Sequence, residues 1–118
     1  MIDSYQFGEI TINGETYDND VEVRWNGEVL EWWRDEGHVF AVEDLKRAFQ
    51  QSPDAIVLGT GANGRAEVPK ETKTFLNEKD IKLVIDKTPA AVKSFELLAE
   101  QGNKKAPKKV VGLFHLTC

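Results

Sequence analysis

The sequence predicts a single α/β domain of three layers, in which an N-terminal antiparallel β-meander packs on a mixed, largely parallel central sheet with helices on the other face. The first observation is polar–apolar alternation with two Asn-Gly pairs over about residues 6–33, which is typical of antiparallel strands. The second is the succession of short apolar runs and helical stripes over about residues 42–118, which favours parallel strands joined by helices. The third is the length of 118 residues, which fits one domain.

The N-terminal part predicts hairpins. Residues 7–12 alternate apolar and polar side chains, and Asn13-Gly14 then supplies the positive-φ pair of a tight turn. Residues 21–25 alternate again, and Asn26-Gly27 repeats the turn signal before residues 28–32. We therefore expect one antiparallel meander with alternate side chains buried and exposed.

The remainder predicts a β-α-β-α-β chain after an initial helix. In order, we expect a helix over residues 42–51, a buried strand over 55–58, a helix after Pro69, a buried strand over 81–85, a helix capped by Thr88 and ended by Gly102, a Lys-rich connector over 103–109, and a central strand over 110–116. If both right-handed crossovers progress the same way, both helices cover one face of the sheet, and the meander is available for the other.

Composition excludes several functional classes. The formal net charge is −5 and the pI is about 5.0, which argues against nucleic-acid or membrane-surface binding through general electrostatics. The single Cys118 excludes an internal disulfide framework. No apolar run approaches a membrane span, and the first residues do not resemble a signal peptide. We therefore expect a cytoplasmic protein that is a monomer or a weak homo-oligomer.

A glycine-rich loop follows the first buried strand and spells G-x-G-x-x-G. A dinucleotide site is not expected, because residues 65–69 predict extended chain where that fingerprint needs a helix. No cofactor is therefore expected. The loop could still present backbone amides to a small anion at the carboxyl edge of the sheet, and the alternative is that its glycines only permit a tight turn. The candidate anion-binding residues are Gly59, Thr60, Gly61, Asn63, Gly64 and Arg65.

His115 and Cys118 are further candidates for chemistry at this edge. They do not complete a zinc pattern, even with His38 as a third ligand, so no metal site is expected. The preferred interpretation is that His115 is hydrogen-bonded within the sheet and that Cys118 packs at its end. The alternative is a proton-transfer or nucleophilic role beside a bound anion.

Trp33, Arg34 and His38 form a candidate interaction cluster. Trp32 and Trp33 are adjacent and therefore face opposite sides of a strand, so one of them is expected to be partly exposed. An exposed tryptophan beside an arginine is typical of an interaction hot spot. The alternative is a tryptophan covered by residues 35–39.

In these motifs the chain resembles the family of the adipogenesis-associated Mth-domain-containing protein and the third assembly factor of mitochondrial complex I. The resemblance covers nearly the whole chain and is carried by Phe7-Gly8, Ile10-Thr11-Ile12-Asn13-Gly14, Trp33-Arg34, His38, Leu58-Gly59-Thr60-Gly61, Val68-Pro69, Thr88-Pro89-Ala90-Ala91-Val92 and His115-Leu116-Thr117-Cys118. It implies a three-layer domain with a mixed central sheet and partner binding, and it supplies no accepted activity, cofactor or catalytic residue. The sequence shows no transit peptide, so a mitochondrial location is not implied, and the connector from Arg34 to His38 is short.

The sequence thus favours a cytoplasmic, non-enzymatic binding or assembly module over residues 1–118 with a protein partner. The alternative is a small enzyme or small-molecule sensor that binds an anionic ligand at the 59–65 loop.

Overall fold

Two β-sheets and three helical segments make up the fold in the computed structural model, which describes residues 1–102 and 108–118. The strands are β1 (Ile2–Gln6), β2 (Glu9–Ile12), β3 (Glu15–Tyr17), β4 (Val21–Arg24), β5 (Val29–Glu31), β6 (Ala55–Thr60), β7 (Lys82–Asp86) and β8 (Val110–His115). A 3₁₀ turn over Val42–Leu45 leads into the short helix α1 (Lys46–Phe49), and the longer helices are α2 (Lys70–Glu78) and α3 (Thr88–Glu100). Of the predicted connector over 103–109, residues 103–107 lie outside the described residues.

The central sheet has five strands in the order β5-β4-β8-β6-β7. Strand β6 pairs in parallel with β7 and β8, whereas β4 pairs in antiparallel with β8 and β5. Strands β1, β2 and β3 form a separate antiparallel sheet. The predicted fold class, an α/β domain with an antiparallel layer and a mixed central sheet, is confirmed.

The single N-terminal meander is wrong in its pairing. Only β1, β2 and β3 form the outer sheet, while β4 and β5 extend the central sheet because β4 pairs with β8. The alternation of polar and apolar residues in β4 also predicts the wrong burial, because the polar side chains expected to face solvent are buried. Glu22 is only 1% exposed, because Arg24 and Arg47 both donate to its carboxylate and compensate its burial.

The placement of both helices on one face is also wrong. Strands β7 and β8 lie on opposite sides of β6, so the two crossovers progress in opposite directions. Right-handed connections then put α2 and α3 on opposite faces. One core joins Phe95 of α3 to Ile10 and Ile12 of the outer sheet, and the other joins Leu76 of α2 to Leu45 of the 3₁₀ turn.

Strands β6 and β8 separate these two cores and are buried along their whole length. The prediction of a central strand near residues 110–116 is confirmed, whereas β7 is an edge strand with partly exposed side chains rather than a buried one. Close packing against α3 requires glycine at position 112, because a Cβ there would lie 3.0 Å from the Phe95 ring and still closer to Phe114. Because β6, β7 and β8 are parallel, their carboxyl ends lie at the same edge of the central sheet.

Candidate functional site

The strand register brings Asp20 to His115 at this edge. Val21 of β4 is paired with Phe114 of β8, so the residue before Val21 lies beside the residue after Phe114. The same register continues into β5, where the Trp32 N–H donates to the Asp20 carbonyl oxygen at 3.0 Å. The chain leaving β5 therefore carries Trp33 and Arg34 to the place where β8 ends.

Asp20 accepts hydrogen bonds from three groups. Its Oδ2 atom lies 2.7 Å from His115 Nδ1 and 2.7 Å from Arg34 Nη2, and its Oδ1 atom accepts from the Leu116 N–H at 2.8 Å. Burial alone would raise the pKa of Asp20, but the hydrogen bonds from His115, Leu116 and Arg34 outweigh it, so the pKa lies below its ordinary value. Asp20 is therefore a carboxylate at neutral pH.

Arg34 is fixed on several sides. Its Nε and Nη2 atoms donate to the Gly37 carbonyl oxygen at 3.1 and 2.6 Å, and its guanidinium carbon lies 4.4 Å from the Trp32 ring centroid and 5.1 Å from that of Phe40. Among the buried side-chain nitrogen and oxygen atoms of the described residues, only Arg34 Nη1 lacks a hydrogen-bond partner, and the two aromatic rings offer the guanidinium a cation–π environment. The Arg34 side chain is 5% exposed, so its guanidinium stabilises the residues around Asp20 from the interior and presents little charge at the surface.

The two adjacent tryptophans divide between core and surface, as predicted. Trp32 is 6% exposed, donates from Nε1 to the Asp44 carbonyl oxygen at 2.9 Å and packs edge-on against Phe40. Trp33 is 80% exposed, and its Nε1 donates to Glu31 Oε2 at 3.2 Å. The exposed Trp33 indole is thus anchored in two ways. The residue before it in the chain is buried, and its own N–H donates to a carboxylate.

Two shallow depressions of about 200 Å³ and about 190 Å³ flank Trp33. Both are rich in acidic groups, while Arg34 and Arg47 there already pair with Asp20 and Glu22. We call Trp33 and these depressions the Trp33 surface. It is lined by Asn19, Asp20, Glu31, Trp32, Trp33 and Arg34 on one side and by Trp32, Trp33, Glu43, Asp44 and Arg47 on the other.

His38 is exposed and lies beside the buried His115. The two rings meet edge-to-face with centroids 5.4 Å apart. The backbone of His38 accepts from the Glu67 N–H at 2.7 Å, which ties this loop to the segment before α2. The structure therefore brings Trp33, Arg34 and His38 to one edge, where they differ in exposure.

The glycine-rich loop holds the last residues of the chain. Ala62 N–H donates to the Thr117 carbonyl oxygen at 2.6 Å, and Arg65 N–H donates to the Cys118 carbonyl oxygen at 3.0 Å. Gly61 has φ of +105°, and a Cβ there would collide with the Cys118 carbonyl group. This close approach and the positive φ account for glycine at position 61.

Other amides of the loop are engaged as well. Gly61 N–H donates to Thr88 Oγ1 at 2.9 Å, and Gly64 N–H donates to the Gly61 carbonyl oxygen at 3.2 Å. The Thr60 side chain donates to the Asp86 carbonyl oxygen at 3.1 Å. These bonds favour the tight-turn interpretation of the loop, and an anion would have only the exposed Asn63 and Arg65 to approach without displacing internal contacts.

Nearly the whole chain matches one protein family. The model of a family described as "Protein of unknown function (DUF498/DUF598)" matches residues 2–115. The chain belongs to this family.

Solved structures share the DUF498/DUF598 fold. The conserved hypothetical protein PH1505 from Pyrococcus horikoshii OT3 is 22% identical, with a TM-score of 0.85 over 100% of this chain and 99% of its own. The protein MT938 is 25% identical, with a TM-score of 0.80 over 100% and 98%. An outer membrane protein from Bartonella henselae is 22% identical, with a TM-score of 0.75 over 99% and 94%. Within residues 1–102 and 108–118 of our chain, no helix combines the length and apolarity needed to cross a bilayer.

The two remaining candidates of this DUF498/DUF598 protein do not converge. His115 is buried and hydrogen-bonded to Asp20, whereas Cys118 is half-buried at the glycine loop. Across the described part of the chain, no three His, Cys, Asp or Glu side chains are grouped so that they could hold a metal ion.

Sequence reasoning missed Asp20, Thr88 and Thr117. Thr88 was expected to cap α3, but the N-cap residue is Lys87, and the Thr88 hydroxyl instead donates to the His115 carbonyl oxygen at 2.6 Å. Thr117 Oγ1 lies 3.5 Å from His115 Nε2. Only the position of Asp20 just before an alternating strand was visible in the sequence, because its partners depend on the pairing of β4 with β8.

Proposed function

We propose that this DUF498/DUF598 domain is a protein-binding module that contacts its partner through the Trp33 surface. The observation that carries the proposal is an indole that is 80% exposed and yet held by the Glu31 carboxylate. A large aromatic side chain that is ordered before binding loses little conformational entropy in a complex, which is typical of interface hot spots.

The charges around Trp33 indicate the chemistry of the partner. Glu31 and Glu43 are exposed on either side of the indole. Glu43 forms an exposed ion pair with Lys46 at 3.4 Å, and the nearby Arg34 and Arg47 are paired with Asp20 and Glu22. The surface therefore presents an aromatic face within an acidic rim. A partner segment with an Arg or Lys beside an apolar residue would stack its cation on the indole and meet the carboxylates.

The same proposal covers the kind of partner, the cellular location and the oligomeric state. The resemblance to the Mth-domain protein and to the third complex I assembly factor supports partner binding, because eukaryotic members are tied to assembly of a respiratory complex and to fat-cell differentiation. We place the domain in the cytoplasm as a monomer or weak homo-oligomer without nucleic-acid or membrane binding. The net charge of −5 supports the last part of this proposal, because an acidic protein is repelled by nucleic-acid phosphates and by anionic membrane surfaces.

Affinity capture from the cell of origin tests the proposal. The bait variants are Trp33→Ala and, as a matched control, Leu97→Ala, because Leu97 of α3 is another exposed large apolar side chain, 64% exposed. We expect the wild type and Leu97→Ala to retain the same partner and Trp33→Ala to lose it. A partner retained equally by both variants, or no specific partner for the wild type, would contradict the proposal.

A further inference from the structure

The arrangement around His115 leaves one ring nitrogen free to act as a base. His115 Nδ1 lies 2.7 Å from the ionised Asp20, so a neutral imidazole carries its proton on Nδ1 and leaves the lone pair on Nε2. The charged or titratable side chains facing the ring are Asp20, Arg34 and His38. Nε2 then faces Thr117 Oγ1 at 3.5 Å and can accept its proton.

The three groups are arranged with the hydroxyl outermost. Side-chain exposure is 7% for His115 and 17% for Asp20, whereas Thr117 is exposed. Residues 115 and 117 lie two positions apart on extended chain, so both side chains project to the same side. A shielded base oriented by a carboxylate and facing an accessible hydroxyl is the geometry of an activated nucleophile.

The backbone around Thr117 is held in place. Its carbonyl oxygen accepts from the Ala62 N–H and the Cys118 carbonyl oxygen accepts from the Arg65 N–H, so the glycine-rich loop positions the hydroxyl. The N–H groups of Thr117 and Cys118 donate to no acceptor in the parts of the chain that the structure describes.

We propose that Thr117 and His115, oriented by Asp20, form a nucleophilic site that accepts an acyl group from a small carboxylic ester. Thr117 Oγ1 bonds to the ester carbonyl carbon while His115 Nε2 takes the hydroxyl proton. The carbon–oxygen bond to the alcohol breaks, and the proton passes from Nε2 to the departing alcohol oxygen, leaving acyl-Thr117. Water then attacks the acyl carbon and gives a proton to Nε2, which returns it to Thr117 as the carboxylic acid leaves.

The charge of the residues around His115 indicates the chemical class of the substrate. The depression of about 200 Å³ that Asp20 lines belongs to the Trp33 surface and includes neither His115 nor Thr117 among its lining residues, so it does not define the acyl group. The ionised Asp20 lies beside His115, so an uncharged ester is favoured over an anionic one. This inference rests on the contacts among Asp20, His115 and Thr117 and not on the Trp33 surface binding a protein, and the two proposals are tested with different variants and readouts.

Acylation by 4-nitrophenyl acetate tests the site, with the adduct located by peptide mass spectrometry. The variants are Thr117→Ala, Thr117→Ser and His115→Gln, and each is first shown to fold by circular dichroism. We expect acetyl-Thr117 in the wild type, about 100-fold slower acetylation of residue 117 in His115→Gln, no adduct at position 117 in Thr117→Ala, and acetylation restored in Thr117→Ser.

Two further readouts separate the proposal from nonspecific acetylation and from a structural role. Cys118→Ser removes the neighbouring thiol and should leave acetyl-Thr117 in place. Asp20→Asn should change the pH dependence of Thr117 acetylation, because the amide no longer fixes the His115 tautomer. Acetyl groups found only on Cys118 or lysines, or Thr117 acetylation that is unchanged in His115→Gln, would overturn the proposal.

Discussion

Asp20 Oδ2 lies 2.7 Å from His115 Nδ1, although 95 positions separate the two residues in the sequence. The same carboxylate accepts from Arg34 and from the Leu116 N–H. One acidic side chain therefore fastens the start of β4, the segment after β5 and the end of β8 to one another. Protonation of Asp20 would weaken all three attachments together.

The acid stability of the protein should depend on Asp20. Folding lowers the pKa of this carboxyl, so its contribution is present above the unfolded pKa of about 4 and is lost as the pH falls through the lower folded pKa. We expect Asp20→Asn to reduce the free energy of unfolding by about 1 to 3 kcal/mol at pH 7. Urea unfolding of both proteins at pH 7 and pH 3 measures it, and an equal difference at both pH values would contradict it.

Trp32 and Trp33 should respond oppositely to truncation. Trp32→Ala removes a buried ring that packs on Phe40 and Arg34, so we expect a loss of about 3 to 5 kcal/mol in the free energy of unfolding. Trp33→Ala removes an exposed ring and should change it by less than about 0.5 kcal/mol. Chemical denaturation compares them, and a large loss for Trp33→Ala would indicate that the indole supports the fold.

Gly61→Ala should destabilise the protein strongly. The new Cβ meets the Cys118 carbonyl group at a backbone φ of +105°, so both strain and collision oppose it, and we expect a loss of about 2 kcal/mol or more. Gly37→Ala is the matched control, because a Cβ there meets no atom within 4 Å and the expected change is under about 0.5 kcal/mol. Thermal unfolding of the two variants measures the contrast, and equal melting temperatures would disprove it.

Inorganic phosphate should not stabilise the protein. The amides of Gly61, Ala62 and Arg65 already donate to internal acceptors, so the 59–65 loop offers a phosphate few unused donors. A ligand of the native state raises the melting temperature by mass action, and a thermal-shift titration therefore detects binding. A concentration-dependent rise that disappears in Arg65→Ala would restore the anion-binding interpretation of the loop.

Much of the fold could be predicted because continuous apolar runs have one simple explanation. Buried strands at β6 and β8 and the helix at α3 follow from hydrophobic pattern and turn residues alone. Alternation in β4 was misleading, because a pattern of polar residues does not reveal that Arg47 of α1 will cover Glu22. No local sequence pattern indicates that β7 and β8 lie on opposite sides of β6. This strand order determines which face of the sheet α2 and α3 each cover.

The candidate site was predicted only where neighbours in sequence are neighbours in space. Trp32 and Trp33 must face opposite sides, so an exposed indole followed from their adjacency. The Asp20–His115 contact requires the antiparallel register of β4 on β8 and was invisible in the sequence. The glycine spacing of the 59–65 loop left both an anion site and a tight turn open, and only the structure shows that the loop holds the backbone of Thr117 and Cys118.

The central sheet also divides the packing interactions that stabilise the domain into two separate groups. Phe95 packs in one core and Leu76 in the other, and two fully buried strands stand between those cores. Side chains that share no partner contribute additively to stability. A double-mutant cycle between Phe95 and Leu76 should accordingly give a coupling energy near zero. Substitutions in one core can then be compensated within that core, independently of the other.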